Sequence, residues 1–197
     1  MEITAAMVKE LRSQSGAGIM ECKSALKETQ GNVEEAITHL RKKGLAKADK
    51  KADRQTGEGI VGSYIHQGGK IGVMIELNCE TDFVANTPDF QGLVRDIAMH
   101  IAAAKPRFAT REEVTEEVLA KEREIFAHQA KESGKPENIV EKMVTGKMEK
   151  FYEENCVLEQ PFVKDTSVTI GELIKQKIAL LGENINIRQF SRFEVNG

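Results

Sequence analysis

Cysteine is scarce in this 197-residue chain: Cys22, Cys79 and Cys156 lie 57 and 77 residues apart. That spacing excludes a disulfide framework and a paired-cysteine metal knuckle, and it reads the three as reduced thiols. No uninterrupted apolar run exceeds four or five residues, far short of the ~20 a membrane-spanning helix needs. The leading MEITAAMVKE carries Glu2, Lys9 and Glu10 where a secretory leader would be apolar, so a cytoplasmic protein is expected. Phosphate-loop chemistry is missing as well. The Gly-Lys pairs at 69–70, 134–135 and 146–147 are followed by Ile71, Pro136 and Met148, leaving no hydroxyl for a magnesium ion. Gly16-Ala17-Gly18 lacks the third glycine and the preceding strand of a dinucleotide site. His39, His66, His100 and His128 stand apart with no HExxH spacing. No cofactor, no resident metal and no enzymatic activity are expected.

What is present is an ordinary globular composition, 40% apolar and 30% charged, with room for a small module joined to a larger domain. The net charge of −3 is unevenly spread: residues 1–54 hold eleven Lys or Arg against eight Asp or Glu. The excess sits in 41–54, where Arg41, Lys42, Lys43, Lys47, Lys50, Lys51 and Arg54 outnumber Asp49 and Asp53. Such a stretch can grip phosphates, but it has interspersed alanines and no aromatic to stack a base, which favours a solvated helical linker acting as a hinge. A glycine-rich break, Gln55 to Gly59, follows, and the domain boundary is set there: 1–54, then 55–197.

The first module reads as three short helices. Thr4 caps a helix over about 4–14 that carries Val8 and Leu11, with Gly16-Ala17-Gly18 after it. Ile19, Cys22 and Leu26 form one apolar face of the second helix, which Gly31 ends. Asn32 with Glu35 starts the third, Val33, Ala36, Ile37 and Leu40 line it, and Gly44 is expected to stop it. So small a bundle buries little surface and has to dock on something.

The second module opens with a hairpin. Ile60–His66 is one strand, Gly68-Gly69 the two-residue turn, and Ile71 to Cys79 the return, with Ile71, Val73, Ile75, Leu77 and Cys79 on one face. Thr87-Pro88 starts a helix bearing Phe90, Leu93, Val94, Ile97 and Ile101. Thr110 with Glu113, Lys135-Pro136-Glu137, and Thr169 with Glu172 mark three further helix starts, with a possible break at Gly146. A last strand runs from Asn184 to Val195. The fold class is α+β: a three-helix module followed by an antiparallel-sheet core packed with helices.

Between the second strand and its helix lies Glu80-Thr81-Asp82-Phe83-Val84-Ala85-Asn86, a turn that carries one of eight phenylalanines where polar residues are usual. Two readings stand: Phe83 folds back into the core, or it is displayed. The residues Leu11–Leu26, Gly31–Ile37 and Leu40–Gly44 resemble the N-terminal ubiquitin-associated-like module of the elongation factor Ts family, with Ile19 where many members have Met. Leu77–Asn86 resembles that family's most diagnostic segment, and Tyr64–Lys70 and Leu181–Val195 agree with it. The resemblance implies a guanine-nucleotide exchange factor for the GTPase elongation factor Tu. In the family, the Thr-Asp-Phe-Val turn enters the GTPase beside its magnesium and phosphate site. Carried over, Thr81, Asp82, Phe83 and Val84 would dislodge Mg²⁺, while Arg12 and Met20 would face the partner from the first module. The other reading of Met20 packs it into the three-helix core. The resemblance further implies a short form of the factor, without the long inserted helical hairpin, pairing as a homodimer, with Phe190 and Phe193 on a last strand suited to joining two sheets.

Two other classes compete. Cys79, with Glu80, Asp82 and His66 nearby, could form a thiol nucleophile and base, but strand alternation puts the thiol on the face expected to be buried. An RNA- or protein-binding adaptor could use the basic 41–54 segment.

Overall fold

The computed structural model describes residues 3–132, 134 and 136–196. Its elements, in chain order, are α1 Ala5–Ser15, α2 Ile19–Glu28, α3 Val33–Asp49, β1 Glu58–Ile65, β2 Ile71–Cys79, α4 Asp82–Ala85, α5 Pro88–Ala104, α6 Glu116–Lys131, α7 Glu137–Asn155, β3 Pro161–Phe162, β4 Asp165–Thr169, α8 Ile170–Leu181 and β5 Ile185–Glu194. The α+β class holds: eight α-helices among the described residues accompany a three-stranded sheet ordered β1-β2-β5 and a small β3-β4 pair. The larger sheet is antiparallel, since His66 N–H donates to Ile71 O and Val195 N–H to Lys70 O.

The chain divides into two compact units. One comprises the residues up to Ile60 with Leu77–Leu93 and Glu172–Asn186; the other comprises Val61–Glu76, Val94–Gly171 and the residues from Ile187 onward.

In the first unit, α1, α2 and α3 enclose a core of Val8, Leu11, Cys22, Ala25, Leu26 and Ala36. The caps are those the sequence calls for. Thr4 Oγ1 accepts from Met7 N, Gly16 takes the left-handed conformation after α1, and Asn32 and Glu35 bond reciprocally at the head of α3. Ile19 departs from expectation. It is exposed while Cys22 and Leu26 are buried. Gly44 also fails to stop α3, which runs on to Asp49. A Cβ at residue 44 would come within 3.3 Å of Ala179 Cβ, so the missing side chain lets α3 pack closely on α8 instead of ending it.

The basic segment is therefore docked and not a free hinge. Arg41 pairs with Glu172 at 2.9 Å, Lys175 with Asp49 at 2.7 Å, Lys47 with Glu21, and Lys51 Nζ donates to Gly182 O at 2.5 Å. Exposed pairs of this sort are individually weak, but they fix the orientation of a helix already in van der Waals contact.

In the second unit, β1 and β2 form the expected hairpin with a longer loop. Residues 67–70 connect the His66–Ile71 pair, and Gly68 and Gly69 both adopt positive φ. Gly62 is required by packing, since a Cβ there would lie 2.2 Å from Val94 Cγ1. Thr110 and Glu113 begin only a 3₁₀ turn, Arg111–Glu113, because the Glu113 carboxylate accepts from Ala109 N instead of closing a capping box. Thr115 caps α6, its hydroxyl accepting from Val118 N. Pro136 stands at the head of α7, Lys135 lies outside the described residues, and α7 passes Gly146 unbroken. Together α6 and α7 make a helical hairpin with its own core of Val114, Leu119, Met148, Phe151 and Cys156. Arg111 ties its base, bidentate to Glu159 at 2.8 and 2.9 Å and over the Tyr152 ring at 4.5 Å. Along β5 burial alternates through Ile187 and then slips phase, leaving Phe190 half-buried and Phe193 exposed. Arg192 folds inward and donates to Ala102 O near the end of α5.

Candidate functional site

Strand β2 delivers the chain to Thr81, whose extended backbone (φ −133°, ψ 155°) and hydroxyl cap α4 by accepting from Val84 N at 3.4 Å. Four helical residues suffice to sort the side chains by direction. Val84 and Ala85 are buried and anchor the turn, while Asp82 and Phe83 face out. Phe83 is 83% exposed, which decides between the two readings of this residue: the ring is displayed. Nothing local dictates that outcome, since the same ring two positions later would have joined the core.

The turn is held at both ends. Downstream, the Thr87 hydroxyl donates to Val84 O at 2.8 Å and accepts from Phe90 N at 3.2 Å, so α4 runs directly into the capped start of α5. Upstream stands a reciprocal carboxylate clasp. Glu183, in the connection from α8 to β5, accepts from Glu80 N at 3.1 Å and Thr81 N at 3.0 Å through one oxygen, and from the Thr81 hydroxyl at 2.6 Å through the other. In return Glu80 accepts from Asn184 N at 2.7 Å and from the Arg54 guanidinium at 3.4 Å. Asn184, itself buried, donates its amide to Ala52 O and Arg54 O at 3.0 and 2.8 Å. Two carboxylates are thus each satisfied by donors from the other's segment. Sequence reading missed Glu183, Asn184 and Arg54 as parts of this site. The partners are separated by as many as 132 residues, and no local spacing signals them.

The thiol beside the turn is inert. Cys79 is fully buried, its Sγ donates to Thr81 O at 3.1 Å, and burial pushes its pKa up, which disfavours the thiolate a nucleophile needs. His66 is occupied by the Tyr64 hydroxyl, 3.0 Å from Nδ1.

In the three-helix module Arg12 lies exposed in the last turn of α1. Met20, in the first turn of α2, is 74% exposed and takes no part in the module's core. The corner is braced locally: Glu21 reaches back to Gly18 N at 3.3 Å, and the Lys47 ammonium beside it holds its carboxyl below the usual range. Among the described residues no helix is long and apolar enough to cross a membrane.

The family model described as Elongation factor TS matches residues 1–197. Relatives named Elongation factor Ts include that of Solibacter usitatus, 58% identical over 194 residues, covering 98% of this chain and 92% of the relative. The protein of Fervidobacterium nodosum is 58% identical over 195 residues and covered to 99% on both sides. That of Syntrophomonas wolfei is 60% identical over 193 residues, covering 98% of this chain and 90% of the relative. Agreement of this degree along the whole chain means that the protein belongs to the elongation factor Ts family of translation elongation factors.

Proposed function

We propose that this protein is a guanine-nucleotide exchange factor for elongation factor Tu, which it engages in the GDP form and from which it releases Mg²⁺ and then GDP. One observation carries the reading: a phenylalanine 83% exposed on a short helix braced at both ends. A displayed aromatic on a stiff support loses little conformational freedom on entering a pocket, so its burial can be directed at prying.

No covalent bond changes in such a function. The factor binds the nucleotide-free GTPase more tightly than the GDP-bound one, and reciprocity lowers nucleotide affinity by the same factor. Phe83 enters the GTPase. Asp82, whose carboxylate has no partner among the described residues, disturbs the polar network around the magnesium ion. Loss of the ion leaves the diphosphate poorly neutralised. Thr81 and Val84 hold the turn from within the fold, and Arg12 and Met20 supply a second contact from the three-helix module. The setting is the cytoplasm. Release of a fluorescent GDP from purified elongation factor Tu tests the reading: added protein accelerates release, and unchanged release refutes it.

The same reading includes a homodimer. Strand β5 is at the edge of its sheet, and Ile65, Met74, Phe193 and Val195 expose apolar surface in the same unit. Sedimentation gives a dimer mass that Phe193→Glu reduces to a monomer; a monomeric parent chain refutes this part.

A further inference from the structure

We infer that Glu183 is the positioning residue that sets the pitch of the exchange turn, acting on the partner only through Phe83. The inference rests on the exchange reading above and deepens it.

Three bonds from one side chain converge on two consecutive residues of the turn: both backbone N–H groups at 80 and 81, and the Thr81 hydroxyl. The hydroxyl's one proton is thereby committed. The hydroxyl donates to Glu183 and accepts from Val84 N, so the carboxylate fixes the rotamer of the very group that caps α4. Phe83 is the second residue of that helix and has no packing of its own to hold it. Its direction is inherited from the cap. Glu183 lies outside the turn, across a clasp from Glu80, and is half-buried in the connection before β5, so it braces the ring from behind without being displayed beside it.

The carboxylate is chemically required. Three donors need an acceptor-only group with two oxygens. A glutamine offers a single, neutral acceptor oxygen, so it cannot take the two backbone N–H groups on one oxygen and the hydroxyl proton on another, as Glu183 does. Aspartate retains the charge but falls one methylene short. Each alternative loses at least one charge-assisted bond, a loss that corresponds to about tenfold in a rate if it is expressed in the transition state.

The test is a cycle on the full-length protein with elongation factor Tu and fluorescent GDP. Glu183→Gln lowers the maximal release rate about tenfold, and it leaves the concentration giving half-maximal release unchanged, because Arg12 and Met20 are untouched. Combined with Phe83→Ala, it lowers the rate no further than Phe83→Ala alone. Amide hydrogen exchange, read without the partner, accelerates at residues 80–84 in Glu183→Gln while the core of α5 stays protected. If Phe83→Ala slows release and Glu183→Gln does not, or if the two effects multiply, the positioning role is wrong. Should Phe83→Ala itself exchange at the parental rate, the exchange reading fails first, and faster amide exchange in Glu183→Gln would then report a brace on a turn with another use. Loss of protection throughout α5 would overturn the proposal by making Glu183 a general fold determinant.

Discussion

Two corners of the protein each present a large apolar side chain from the first turn of a helix, and they are supported in opposite ways. At the head of α2, Met20 is displayed by a module whose caps, core and bracing carboxylate lie within its own first 47 residues. At α4, Phe83 is displayed by a helix of four residues that could not persist alone, braced by a carboxylate 102 residues away. The side chains match the supports: methionine adapts to a surface, whereas a phenyl ring on a fixed axis transmits force. An anchor can be local and compliant. A wedge needs the tertiary structure behind it.

The contrast can be broken first at its base. Leu26 is fully buried in the three-helix core, so Leu26→Ala should destabilise that module by about 2–5 kcal/mol. Chemical denaturation should then reveal an early transition that leaves α5 and the α6–α7 hairpin folded; a single unshifted transition would contradict the local support assigned to this corner. Next comes the wedge itself. Phe83→Ala should leave the melting temperature within the range of a surface change, about 0.5 kcal/mol. It should nonetheless slow GDP release severalfold or more, a loss of about 2 kcal/mol of interaction typical of an aromatic anchor. Parental release rates in this variant would remove Phe83 from the function.

Anchor variants should separate from wedge variants in kind. Met20→Ala and Arg12→Ala should each weaken association with elongation factor Tu by about 1 kcal/mol, while saturating rates stay at the parental level. Titration of the exchange rate measures both, and unmoved half-saturation would dismiss the assignment. The smallest effect concerns pH in the other unit. His100 is fully buried, its Nε2 donates to Gln160 at 2.9 Å, Nδ1 has no partner among the described residues, and burial holds its pKa below the usual value. The unfolded chain therefore binds the extra proton first as pH falls. Stability is fully present above the ordinary histidine value of about 6.5 and declines below it. His100→Gln should flatten the loss between about pH 7.5 and pH 5.5. Glu21 and Glu112, whose carboxyls are held below their ordinary range by Lys47 and by Thr110 respectively, contribute only at lower pH. An equal decline in both proteins would rule out His100 as the source.

Much of this was legible before any coordinates. Thr4, Asn32 and Thr87 announce helix starts because capping is a bond to the next turn. Val73, Ile75, Leu77 and Cys79 announce a half-buried strand because alternation reports one face of a pleat. Gly44 misled for a related reason: a glycine can end a helix or let a neighbour approach, and only Ala179 of α8 distinguishes the two. Thr110 with Glu113 misled because Glu113 found a better donor in Ala109 N. The turn at 80–86 could be singled out by its aromatic and by family resemblance, yet its exposure and its brace could not.

By itself, then, the sequence determined the caps, the strand alternation, the α+β class and the residues of the turn, all of which depend on bonds or periodicities spanning a few positions. Only the tertiary structure decided that α3 docks through its basic residues, that Met20 and Phe83 face outward, and that Glu183 meets Thr81. Those outcomes depend on which distant donors and surfaces the folded backbone brings within about 3 Å, and that selection is made by packing, where sequence separation carries no weight.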